Sequence, residues 1–224
     1  MNIPSWRIPP SVITHLDHIP YDQPVVLLLR HSVREKLPPG EAGNLVPITE
    51  TGQRIAVELG ALLGDRLKTL HTSPILRCVQ TSEAIHRGAR APFSIVNDRL
   101  LGDPGVYVLD GKQAWMNWET LGHEGVVNHL VAETTALPGM ARPEEAARSL
   151  VAHMFSVASG VPGVHVFVTH DSLVIVTAAR LLEKVLRPAD WPWYLEGAFF
   201  WHTADGLKIS YRDYVAYVER RLSM

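Results

Sequence analysis

The chain has 224 residues, 46% of them hydrophobic and 20% charged, with a formal net charge of −2. That composition fits a globular chain long enough for one substantial core, and its charge balance gives no electrostatic case for nucleic acid or an anionic membrane as partner. The single cysteine, Cys78, cannot form an internal disulfide, which suits a reducing, cytoplasmic setting.

Residues 1–22 carry Pro4, Pro9, Pro10 and Pro20 and read as an irregular N-terminal arm, with no apolar run of signal-peptide length. Pro24 then opens the Val- and Leu-rich run Val25 to Leu29, which stops at Arg30-His31-Ser32. Such a run reads as a buried parallel strand. Its carboxyl end delivers a cation and an imidazole to the crevice where α/β sheets bind ligands. A Pro/Gly-rich loop, Leu37 to Pro47, leads to Thr49, which caps an expected helix ending at Gly64; Ile55, Leu59 and Leu62 form its apolar face.

Leu67 to Ser73 is the next expected strand. Ser73-Pro74 is read as N-cap and first position of a helix running to about Gly88, with Arg77 in its first turn. Phe93 to Val96 is an expected third strand. From about 99 to 142 the pattern is irregular, with Gly102-Asp103-Pro104-Gly105, Trp115 and Trp118, and it is read as a cap insertion over the strand ends. Pro143-Glu144-Glu145 starts a helix. Val164 to Thr169 is a Val-rich strand ending in His170-Asp171-Ser172, and a helix from Ser172 to Leu186 follows, too short to span a bilayer. Gly197 to His202 and Leu207 to Tyr211 flank Ala204-Asp205-Gly206 as a hairpin, and Tyr214 to Leu222 is read as a last helix.

Strands alternating with helices predict a single domain, residues 1–224: a three-layer α/β/α sandwich with a mostly parallel sheet, an antiparallel edge from the hairpin and the cap over the strand carboxyl ends. Three strand ends supply Arg30, His31 and Arg34, then Arg77, then His170 and Asp171. Guanidiniums bind phosphate oxygens bidentately. An imidazole with one nitrogen free is a competent nucleophile at phosphorus, and a second imidazole, if protonated, adds positive charge. The other histidines (His15, His18, His71, His86, His123, His129, His153, His165 and His202) lack partners at ligand spacing, so no metal is expected.

Leu29-Arg30-His31-Ser32 with Thr49-Glu50-Thr51-Gly52 resembles the Arg-His-Gly and Leu-Thr-x-x-Gly segments of the histidine phosphatase superfamily. Ser73-Pro74-Ile75-Leu76-Arg77-Cys78-Val79-Gln80-Thr81 is similar to its Ser-Pro-x-x-Arg-x-x-Gln-Thr segment, and Val168-Thr169-His170-Asp171 to the segment of its second histidine. The resemblance implies a phosphatase that hydrolyses a small phosphomonoester without metal or cofactor. His31 becomes phosphohistidine, Arg30, Arg77 and His170 clamp the phosphoryl group, and Arg34 falls where the acid phosphatase branch adds a phosphate-binding arginine. It leaves open a phosphomutase of the same fold and a catalytically silent phospho-ligand binding module. Ser32 stands where the family carries glycine, and its hydroxyl is a candidate phosphate contact. For the proton donor the mutase-like branch points to Asp103 and the acid phosphatase branch to Asp171; Arg34 and His170-Asp171 favour Asp171.

Overall fold

The computed structural model describes residues 6–37 and 43–218. One seven-stranded sheet organises the chain: β1 (Pro24–Arg30), β2 (Leu67–Thr72), β3 (Val96–Asn97), β4 (Gly163–Thr169), β5 (Gly197–Thr203), β6 (Gly206–Tyr211) and β7 (Tyr214–Val218), in the order β3-β2-β4-β1-β5-β6-β7. β3, β2, β4 and β1 are parallel, and β5, β6 and β7 continue antiparallel. Side chains alternate across the pleat. Val25, Leu27 and Leu29 of β1 therefore enter one core with α1 (Pro10–His18), α2 (Glu50–Leu63) and α3 (Leu76–Ala89). Val26 and Leu28 enter the other, with α4 (Gly111–Ala132), α5 (Pro143–Ala158) and α6 (Asp171–Leu182). This is the expected three-layer sandwich. Among the described residues no helix is long and apolar enough to cross a membrane.

Five expectations need correction. The N-terminal arm contains a helix, α1, with Val12 and Leu16 buried one turn apart. Its prolines begin the helix, because Pro10 at the first position gives up an N–H that has no partner there anyway. α3 starts at Leu76, not at Pro74, and Ile75 is its N-cap. The third strand is Val96–Asn97, and Phe93 and Ile95 pack on the core without joining the sheet. α6 begins at Asp171 and ends at Leu182, where Glu183 turns left-handed. Tyr214 begins a strand: Val215 and Tyr217 are exposed while Tyr214, Ala216 and Val218 pack on the core, a period of two that a helix cannot give. The rest of that expected helix lies outside the described residues, as do residues 1–5 of the arm and 38–42 of the Pro/Gly-rich loop.

Thr49 caps α2 as expected, accepting the Gly52 amide at 3.0 Å. α2 and α3 then pack backbone to backbone. A Cβ on Gly60 would lie 2.1 Å from the Ile85 carbonyl oxygen, and one on Gly88 2.0 Å from that of Val57. Close packing holds Arg77, in the first turn of α3, at a fixed height above β2. Gly88→Ala must push the helices apart, and it should lower stability by about 1–3 kcal/mol. In urea unfolding the midpoint then falls with an unchanged slope.

Candidate active site

Strand register builds the site. β1 pairs with β4 so that Arg30 faces Thr169, and β2 pairs with β4 so that Thr72 faces Val168. The ladder continues one residue further, with the His31 amide donating to the Thr169 carbonyl and the Ser73 amide to the Val168 carbonyl, both at 2.9 Å. His31, Ser73 and His170 therefore leave the sheet side by side at its carboxyl edge.

His31 is buried. Its Nδ1–H donates to the Ser32 carbonyl at 2.8 Å, which leaves the Nε2 lone pair to accept from Arg77 Nε at 3.2 Å. Burial holds its pKa well below 6.5, helped by repulsion from His170, Arg30 and Arg77 and opposed by the Ser32 carbonyl. The ring is thus neutral with its free nitrogen in the cavity, the state a nucleophile requires. His170 is the N-cap residue of α6, with its ring 5.7 Å from that of His31. Its Nδ1 accepts from Arg77 Nη2 at 3.2 Å and its Nε2 is 3.2 Å from Ser73 Oγ. Burial and then Arg77 lower its pKa to about 3. The second histidine is therefore neutral, so the positive charge it would add if protonated is absent here. The pocket's charge comes from guanidiniums, and Arg77, which also donates from Nη1 to the Gly43 carbonyl at 2.8 Å, joins both imidazoles.

Arg30 is fixed on three sides. It donates to the Pro192 carbonyl at 2.6 Å, pairs with Asp171 Oδ2 at 2.9 Å and lies 4.2 Å over the Tyr194 ring. Tyr194 is also 5.7 Å from the His31 ring and is backed by Trp6 at 5.4 Å, edge to face. The loop bearing Tyr194 is tied down by Glu196, which accepts from the Trp193 amide, Ser11 and Arg212. Asp171 also accepts the Ser172 amide at 2.9 Å, and His123 Nε2 is 3.5 Å from its Oδ1. Burial pushes the Asp171 carboxyl up, but His123 and Arg30 outweigh burial and hold it well below the usual carboxylate range. Asp171 is thus held as the anionic partner of Arg30 and His123.

Arg34 lines the cavity, with Nη1 on the Glu35 carbonyl and a buried Nε that has no hydrogen-bond partner among the described residues. Ser32 does not reach the cavity: its hydroxyl donates to the Gly52 carbonyl at 2.7 Å and its amide to Thr81 Oγ1 at 2.9 Å. Its φ is not positive, so serine meets no backbone strain where the family has glycine. Its place as a phosphate contact is thereby corrected. Asp103 is exposed at the cavity mouth with φ of 58°. Its carbonyl accepts from Arg99 Nε at 2.8 Å, and among the described residues its carboxylate has no partner. The residue before it lies against the floor: a Cβ on Gly102, whose φ is 149°, would meet Ser73 Oγ at 2.5 Å and His170 Nε2 at 2.8 Å.

The cavity measures about 560 Å³. Its lining includes His31, Arg77, His170 and Asp171 together with the apolar side chains of Tyr107, Ala114, Trp115, Trp118, Met140 and Leu173. α4, which lies within the expected cap segment, supplies Ala114, Trp115, Trp118 and His123 to the lining. It is broken at Gly122 (φ 67°), just before His123, and its last turn is held to α6 by Arg180, which donates to the Leu130 carbonyl at 2.7 Å. Sequence reading missed Tyr194, Trp6 and the His123–Asp171 contact. The only signal was the aromatic run Trp191 to Tyr194, which is indistinguishable from core packing without its neighbours.

Two outcomes follow from this geometry. Below pH 6.5 the unfolded chain takes up protons that the buried His31 and His170 refuse, so stability falls as pH falls, down to about pH 3 for His170. The slope is up to about 1.4 kcal/mol per pH unit for each histidine. His170→Asn should flatten the acid side of the stability curve, and the imidazole NMR signals of His31 and His170 should not titrate between about pH 5.5 and 8. Loss of the ring under Arg30 frees its guanidinium. Tyr194→Ala should therefore weaken binding of inorganic phosphate about tenfold by calorimetry, while Tyr194→Phe stays close to wild type.

Comparison with known proteins bears on the family and the fold. No curated protein matches the chain. Among solved structures, a mutant of phosphoserine phosphatase from Entamoeba histolytica in complex with phosphoserine superposes with a TM-score of 0.57 at 12% identity, covering 85% of this chain and 97% of its own. The mycobacterial glucosyl-3-phosphoglycerate phosphatase superposes with a TM-score of 0.57 at 17% identity, covering 87% and 98%. At these identities the likeness is one of fold. The family model of the histidine phosphatase superfamily (branch 1) matches residues 26–194, from β1 through Tyr194, and the chain belongs to that superfamily.

Proposed function

We propose that the chain is a phosphatase that hydrolyses a small phosphomonoester through a phosphohistidine on His31, without a metal. One observation carries this reading: a neutral His31 whose Nε2 faces the cavity, with its other nitrogen tied to the Ser32 carbonyl and Arg77 and His170 beside it. Family membership and the two phosphatases among its structural relatives support it.

The phosphoryl oxygens take the Arg77 N–H groups that the two imidazoles hold between them, and Arg30, Arg34 and the Nε2–H of His170 complete the clamp. His31 Nε2, released from Arg77, attacks phosphorus in line, and the bond to the leaving oxygen breaks. Asp103 gives that oxygen a proton. Asp103 then takes a proton from water as the water attacks phosphohistidine, so that inorganic phosphate leaves and His31 is restored. Asp171 remains ionised and holds Arg30 and His123. The clamp acts on charge that grows on the transferring group beside the buried His31 and Arg77, where fixed donors are most effective. Asp103 and the segment 99–142 form the cap under which this happens.

His31→Ala should reduce turnover by at least about 1,000-fold and abolish an acid-labile, alkali-stable phosphoenzyme in rapid-quench trapping with labelled substrate. Near-normal hydrolysis by that variant refutes the reading. Asp103→Asn should lose roughly 100-fold or more on an alkyl phosphate and far less on 4-nitrophenyl phosphate, whose leaving group needs no proton. Asp171→Asn should instead weaken phosphate binding and lose similar activity on both substrates. If no phosphate is released from any substrate but inorganic phosphate raises Tm, the chain is a binding module.

A further inference from the structure

We propose, building on the phosphatase reading, that the leaving group is an apolar, ring-bearing alcohol, and that the apolar side chains lining the cavity form its binding site. The lining holds two kinds of residue: the hydrogen-bonded cluster of His31, Arg77 and His170, and a set of apolar side chains. The first can hold a phosphoryl anion; the second comprises Tyr107, Val108, Trp115, Trp118, Met140 and Leu173.

Two of the aromatic walls, Tyr107 and Trp115, have also spent the polar groups they own. The Tyr107 hydroxyl is bonded to Thr177 Oγ1 at 2.8 Å, away from the cavity, and the Trp115 indole N–H donates to Glu119 Oε1 at 2.9 Å on the outer side of α4. These rings offer carbon to a ligand. His123, which also lines the cavity, is engaged by Asp171.

A cavity of about 560 Å³ far exceeds a phosphoryl group, so a sizeable leaving group has room. A sugar, a glycerate or an amino acid placed there would turn hydroxyl, carboxylate or ammonium groups against carbon and lose their hydrogen bonds to water. A flat hydrocarbon ring would leave water for the faces of Trp115 and Trp118 instead, which is favourable. The specificity of the site is therefore set by α4 and the turn before it.

The test compares alkyl phosphates of similar intrinsic reactivity. Benzyl phosphate should exceed ethyl phosphate in kcat/KM by about 30-fold or more, with glycerol phosphate and O-phosphoserine no better than ethyl phosphate. Trp115→Ala, a change at a partly exposed position, should lower the benzyl-to-ethyl ratio several-fold. Benzyl and ethyl phosphates within threefold of each other, or a preference for glycerol phosphate or phosphoserine, overturns the inference.

Binding of phosphonates, which cannot be hydrolysed at the P–C bond, separates this inference from the phosphatase reading. If no ester is turned over, the phosphatase reading fails. In that case benzylphosphonate binding at least about tenfold more tightly than methylphosphonate in calorimetry still upholds the apolar site, and equal affinities overturn it.

Discussion

The parallel pairing of β1 with β4 is the constraint on which the site depends. With Arg30 opposite Thr169, the residues that follow each strand, His31 and His170, emerge as neighbours, their rings 5.7 Å apart. A slip of one residue would turn both side chains to opposite faces of the sheet. Such a slip is prevented by the buried alternation of β1, whose odd and even residues fill two separate cores. Hydrophobic sorting in the two cores thus sets the geometry of a polar site that lies outside both.

Within that geometry, positive charge is separated from nucleophilic capacity. The guanidiniums of Arg77 and Arg30 surround two imidazoles that burial keeps neutral. A cationic His31 would have no lone pair to offer, and the same field that attracts an anion also suppresses its protonation. Arg77 donates to both rings, so each acceptor is satisfied until an anion takes its place. Asp171 balances the cluster by pairing with Arg30, and Tyr194 sets the guanidinium plane from the other side. On the proposed reading Asp103, exposed at the mouth next to a Gly102 pressed against His170, gives the proton, while Asp171 stays in its ion pair with Arg30.

The apolar lining of the cavity follows different rules. α4 is broken at Gly122, which lets its second half pack Val126, Val127 and Leu130 into the core while His123 turns toward Asp171. Its first half presents Trp115 and Trp118 to the cavity. The floor and the walls are therefore built by different parts of the chain, so the walls can vary without disturbing the clamp.

The local pattern of the chain determined the layer architecture, the strands around residues 24–30, 67–72 and 163–169, and the gathering of Arg30, His31, Arg77 and His170, because each stands where a buried apolar run ends and the carboxyl edge begins. It also determined family membership, since the four motifs are contiguous in sequence. Local pattern misjudged elements whose signal is double-edged: Pro9-Pro10 begins α1 instead of preventing a helix, and Tyr214 to Val218 is too short for periodicity to tell strand from helix. Only tertiary structure decided the protonation states, the hydroxyl of Ser32 turning to Gly52, the Arg30 clamp by Tyr194 and Asp171, and the apolar side chains of the cavity lining. Each of these depends on burial and on partners as far away as residues 30 and 194 in the chain, and no local window of sequence contains that information.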